Sequence, residues 1–176
     1  MTVERASGAV APRTSFGDIA LDGLFAGMIG ALVVAVWFLI LDVAAGRPLY
    51  TPALLGNVLL HGGTVTGQQM VVAPLEIAAY TAFHFVAFVV VGVVLSWLMT
   101  LFERMPIVGF LLLVLFACLQ VGFLVLDAVL GAQLMGRLNP WTVVVANVLA
   151  AASMTFFLWK RHPGIKQGLD HMWEQK

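Results

Sequence analysis

The chain reads as an all-α integral membrane protein: a bundle of four transmembrane helices with one short extra helix on the outer side. Three observations predict this. Windows 23–41, 77–102, 105–126 and 138–159 contain no Lys, Arg, Asp or Glu, and each is about as long as the ~20 residues a helix needs to cross hydrocarbon. The 9 basic and 9 acidic residues all lie before, between or after those windows. Hydrophobic residues make up 61% of the 176 positions and charged residues 10%, a balance foreign to soluble domains.

Composition also excludes function classes. The formal net charge is zero, so charge gives the chain no general affinity for nucleic acid. Cys118 is the single cysteine, which rules out an intrachain disulfide and any disulfide-exchange chemistry that needs a cysteine pair. No nucleophile–base–acid constellation or nucleotide fingerprint is visible, so the expectation is not an enzyme.

Residues 1–15 are expected to form a polar cytoplasmic tail, ahead of a transmembrane domain over 16–160. The first apolar run, 19 residues long, exceeds the ~7–15 of a signal-peptide core. Val43-Ala44-Ala45 resembles a cleavage site, but the length of the run and the adjacent Asp42 favour a retained anchor. The first span is expected at about 18–44. Asp22 and Asp42 bracket its charge-free stretch about 30 Å apart, one near each interface. The second span, about 75–102, ends at a tight turn of Glu103, Arg104 and Pro106. The third covers about 106–130. The fourth, about 140–160, opens with Asn139 as cap and Pro140 at the first helical position, and closes on the interface anchor Trp159-Lys160-Arg161. Residues 161–176 form a second tail.

Orientation follows from the positive charges. Arg5, Arg13, Arg104, Lys160, Arg161, Lys166 and Lys176 fall on one side; only Arg47 and Arg137 fall on the other. The positive-inside rule places both termini in the cytoplasm of a bacterial inner membrane.

The long outer connection, 45–74, contains Thr51-Pro52 followed by an apolar stretch to His61 and then Gly62-Gly63. It predicts a helix over about 52–61, some 15 Å long, too short to cross and therefore interfacial or re-entrant. Residues 62–67 lack the Gly-Lys-Ser/Thr ending of a phosphate loop and read as turn. Residues 38–46 (FLILDVAAG) align without a gap on 123–131 (FLVLDAVLG), which makes the first and third spans candidate pseudo-equivalents.

Two sets of residues stand out inside the windows. Gly23, Gly27 and Ala31, with Gly30 beside them, and Ala146 with Ala150 form small-residue seams that let helices approach closely. Such seams serve the bundle itself or dock another membrane protein. The second set is polar. His84, Gln120 and Asn147 come out at one depth, about 10–12 Å below the outer interface, with Ala35 level with them on the first span. Glu76, Tyr80 and His84 follow at i,i+4 and form a stripe descending from the surface. Near the outer ends, Asp42 and Asp127 have Arg47 and Arg137 at hand as ion-pair partners.

Buried polar groups in hydrocarbon need partners, so the polar layer is expected to converge on a hydrogen-bonded cluster. Three functions are compatible with it. The leading expectation is a non-catalytic accessory subunit packed against other integral membrane subunits, in a respiratory or photosynthetic type of assembly. The alternative is a small homo-oligomeric transporter or channel using the Glu76–Tyr80–His84 stripe. The third is a haem- or pigment-binding subunit with His84 as ligand, although no second histidine lies in a window. His61, Glu76 and Asp42 do not match a dedicated metal motif, and no metal or other cofactor is required by the sequence.

Overall fold

The structure, a computed structural model, describes residues 15–61, 73–102, 108–130 and 139–161. Among them every element is helical and there is no strand: α1 Phe16–Ala44, α2 Tyr50–His61, α3 Pro74–Phe102, α4 Val108–Leu130 and α5 Pro140–Arg161. Among the described residues, three stretches are long and apolar enough to cross a membrane: Phe16–Ala44, Pro74–Thr100 and Trp141–Arg161.

Local chemistry sets the ends. α1 starts two residues before the expected Asp18, because Asp18 is the third residue of a capping box. Ser15 Oγ accepts from Gly17 N at 3.3 Å, and the Asp18 carboxylate accepts from Ser15 N at 3.1 Å, so two of the helix's orphan donors are satisfied. At α5, Asn139 Oδ1 accepts from Trp141 N at 3.1 Å, ahead of Pro140 in the position where a missing N–H costs nothing. Between α1 and α2 the chain reverses through Gly46 (φ 71°) and Leu49 (φ 65°), both left-handed. This tight reversal carries Thr51 back onto α1.

α1 is the central element, antiparallel to both α3 and α5. Its pairing with α3 is a glycine seam. A Cβ on Gly23 would strike the Val93 backbone, one on Gly27 the Phe88 carbonyl, and one on Gly92 the backbone of Gly23 and Gly27. No larger residue fits these three positions at this separation. Gly30 lies against Met154 and Phe88, while Ala31, Ala146 and Ala150 are buried in the core that also holds Leu95, Met99, Met154 and Leu158. These small residues are therefore spent on contacts within the chain.

The seam is closed at its far end by an ion pair. Arg161, in the last turn of α5, donates from Nε and Nη2 to Asp22 Oδ1, both at 2.9 Å. At the opposite end α2 lies across α3, with Thr51, Ala53, Leu54, Leu55, Gly56 and Val58 buried. Gly56 sits directly on the Glu76 carbonyl. α4 is the most lightly held element, leaning chiefly on α5. Two ends can thus be distinguished: a close-packed Arg161 end, and an α2 end, where Asp42, Thr51, Glu76, Tyr80 and His84 gather.

Candidate ligand pocket

His84 is carried by α3, and its imidazole is fixed from several sides. Nε2 lies 3.2 Å from the Ala31 carbonyl of α1. A carbonyl can only accept, so Nε2 carries the hydrogen and donates. The Tyr80 hydroxyl, one turn earlier, stands 3.5 Å from Nδ1, a long contact at the outer limit of a hydrogen bond. Phe88 packs on the ring at 4.7 Å between centroids, with the Phe85 edge at 6.0 Å. The neighbour on α1 is Ala31, one turn from the expected Ala35.

The three expected polar residues do not converge on one hydrogen-bonded cluster. Asn147 of α5 donates from Nδ2 to Gln120 Oε1 of α4 at 2.9 Å. His84 does not join that pair. Instead, His84 and Asn147 line one cavity of about 300 Å³. The rest of its lining is apolar except for Tyr80 and Cys118, and comes from α1 (Val34, Phe38), α2 (Leu55), α3 (Phe83, Ala87, Phe88, Val91), α4 (Leu119, Gly122) and α5 (Val143). Among the described residues, no carboxylate, lysine or arginine lines it. His84 and Asn147 are 9% and 8% exposed, so two buried polar side chains border an otherwise oily space.

A second cavity, of about 190 Å³, lies on the other side of the Tyr80–His84 pair. It shares Val34, Phe38, Tyr80 and His84 with the first and extends to Asp42, Thr51 and Thr81. Tyr80 and His84 stand in the wall between the two spaces.

The charges near this end do not pair as the sequence suggested. Asp42 is buried and accepts from Thr51 N at 2.7 Å and Thr51 Oγ1 at 2.8 Å. Arg47 is not its partner: the guanidinium lies over the Tyr50 ring, 4.0 Å from its centroid. The reason is physical. The Gly46–Leu49 reversal brings two neutral donors to the carboxylate, which satisfies it without desolvating a guanidinium. The Asp127 side chain and Arg137 lie outside the described residues. The stripe divides as well: Glu76 Oε1 faces His61 Nε2 of α2 at 3.4 Å, while Tyr80 turns to His84. His61 and Glu76 thus meet without Asp42, and no three metal-ligating side chains gather among the described residues.

Several participants were not singled out by sequence. Thr51 is the partner of Asp42. Trp37 Nε1 donates to the Thr142 carbonyl at 3.0 Å, tying α1 to α5 beside the cavities; a tryptophan inside an apolar window was the available signal, since its N–H needs an acceptor. Phe83, Cys118 and Gly122 form a rim that no sequence pattern announces. Because Nε2 donates to Ala31, the lone pair of His84 is on Nδ1, which faces the Tyr80 hydroxyl.

What the arrangement can do is bind. An uncharged guest of modest size would meet an apolar wall, the Tyr80 hydroxyl, and the amide group of Asn147. Comparison with protein-family models, curated proteins and solved structures finds no match to this chain.

Proposed function

We propose that the chain is a four-span protein of the bacterial inner membrane, termini cytoplasmic, that binds a small neutral molecule in the outer half of the bilayer. α4 supplies the fourth span: its 23 residues cover about 35 Å, sufficient for the hydrocarbon core. The α2 end is then the outer end, α2 caps the pocket there, and the Arg161 end lies inside.

The observation that carries the reading is the 300 Å³ cavity with His84 and Asn147 buried at its edge. Largely apolar spaces with a few placed polar groups are the usual form of a small-molecule site. The transporter alternative draws on the two cavities in series. Against an open conduit stands the Arg161 half, where Leu95, Met99, Ala150, Met154 and Leu158 are almost fully buried. The protein is proposed to be non-catalytic. An accessory role in a larger membrane complex is favoured by one feature, the shallow groove on the α1–α5 flank formed by Leu32, Val36, Ile40 and Leu149; purification in mild detergent as a free monomer would remove that role.

The binding reading is tested in lipid nanodiscs by thermal unfolding with a para-alkylphenol and with n-decanol. The wild type should be stabilised saturably by at least one, and His84→Phe and Asn147→Leu should lose the shift. Equal shifts in all three proteins, or no saturable shift with either compound, would refute it.

A further inference from the structure

The 300 Å³ cavity has a mouth, and the mouth faces sideways. Phe83 of α3 is 43% exposed, and Cys118 and Gly122 of α4 are exposed as well, although all three line the cavity. A Cβ built on Gly122 meets nothing within 4 Å. The contrast with Gly23, Gly27 and Gly92 is sharp, since each of those is filled by a neighbouring backbone. Here the absence of a side chain leaves open space between two helices that touch only lightly. The surface around this gap is apolar: Val86 on α3 and Val121 and Val125 on α4 are all more than half exposed. In the membrane setting proposed above, those side chains face acyl chains, so the gap opens to lipid.

We infer that this gap between α3 and α4 is a lateral portal through which the cavity takes a lipid-soluble molecule with an apolar body and one neutral hydroxyl or carbonyl. The inference rests on the pocket reading and names its ligand class and its route. Size is set by the cavity, which has room for about ten water-sized groups at ~30 Å³ each. Charge is set by the lining: an ionised guest would be desolvated with no opposite charge to meet it. The head group is set by the polar atoms left over. The Tyr80 O–H has, among the described residues, only its long contact to Nδ1, so it can donate to a carbonyl or hydroxyl oxygen. Among the described residues, Asn147 Oδ1 has no hydrogen-bond partner and can accept from a hydroxyl.

The test is photolabelling of the full chain in nanodiscs with a diazirine-bearing para-alkylphenol, competed by the untagged alkylphenol, with adducts mapped by mass spectrometry. Competable adducts are expected on Phe83, Ala87, Cys118 and Leu119. Gly122→Phe should reduce them at least fivefold, whereas Gly122→Ala, whose single methyl meets open space, should keep them. Phe83→Ala, which widens the mouth, should raise them and serves as the control should Gly122→Phe misfold. Competable adducts confined to Thr51, Thr81 and their neighbours, and indifferent to Gly122 and Phe83, would overturn the lateral portal while leaving the pocket reading standing. Adducts that are never competed would overturn both.

Discussion

The two halves of the molecule use small residues and polar groups in opposite ways. Towards the Arg161 end, glycines at 23, 27 and 92 are occupied by neighbouring backbone, and Asp22 and Arg161 are closed on each other. Towards the α2 end, Gly122 borders empty space, and His84, Tyr80 and Asn147 surround a cavity. Apolar side chains gain little from meeting one another in lipid, so close backbone approach is what holds helices together there. The difference therefore separates cohesion from binding. One half holds α1, α3 and α5 in place; the other is left open enough to admit a guest.

The sharpest way to break this contrast is to fill the wrong glycine. Gly27→Leu must part α1 from α3, since the obstructing atoms are backbone, and should cost about 3 kcal/mol, the upper end of overpacking penalties. Gly122→Ala should stay within about 0.5 kcal/mol of wild type. Reversible unfolding in mixed micelles measures both, and similar costs would erase the distinction. Next in size is Asp42→Ala, which strands the Thr51 N–H and hydroxyl and should cost about 2 kcal/mol. It should also speed proteolysis of the 45–49 turn, because that reversal is held by the same carboxylate. Asp22→Ala should cost about 1 kcal/mol, reduced by the exposure of Arg161 and shrinking further as salt is added. The smallest effect belongs to the cross-helix amide pair. A double-mutant cycle on Asn147→Leu and Gln120→Leu should give a coupling of about 0.6 kcal/mol, even though Asn147→Leu alone removes phenol binding.

Much of the helix layout was legible because it is written in charge placement and helix-end chemistry. The four charge-free windows, Thr51-Pro52 and Asn139-Pro140 locate the helices to within a few residues of where α1 to α5 run. Asp18 misled by two residues because an acidic side chain at the third position of a capping box looks like a helix start. The site was legible in kind but not in detail. His84, Gln120 and Asn147 could be placed at similar depth by counting residues from the helix ends, with Tyr80 one turn above His84, yet such counting does not give helix rotation. It could not tell that Asn147 faces Gln120 while His84 faces Ala31. The Asp42–Thr51 bond depends on a reversal with left-handed backbone at Leu49, a conformation that the residue type does not advertise. Gly92 has only Ser96 at four-residue spacing and Gly56 has no small residue four positions away, so their tight contacts emerge only when α3 meets α1 and α2. An empty space such as the one beside Gly122 has no sequence signature at all.

The most direct measurement of the central claim is a crystal structure of the protein with para-bromophenol, located by the anomalous signal of bromine. The account predicts a bromine peak inside the cavity lined by His84, Asn147, Leu119 and Gly122, with the phenol oxygen within hydrogen-bond distance of Tyr80 or Asn147. Bromine found only on outward-facing helix surfaces, or between α1 and α3 at the Arg161 end, would contradict it.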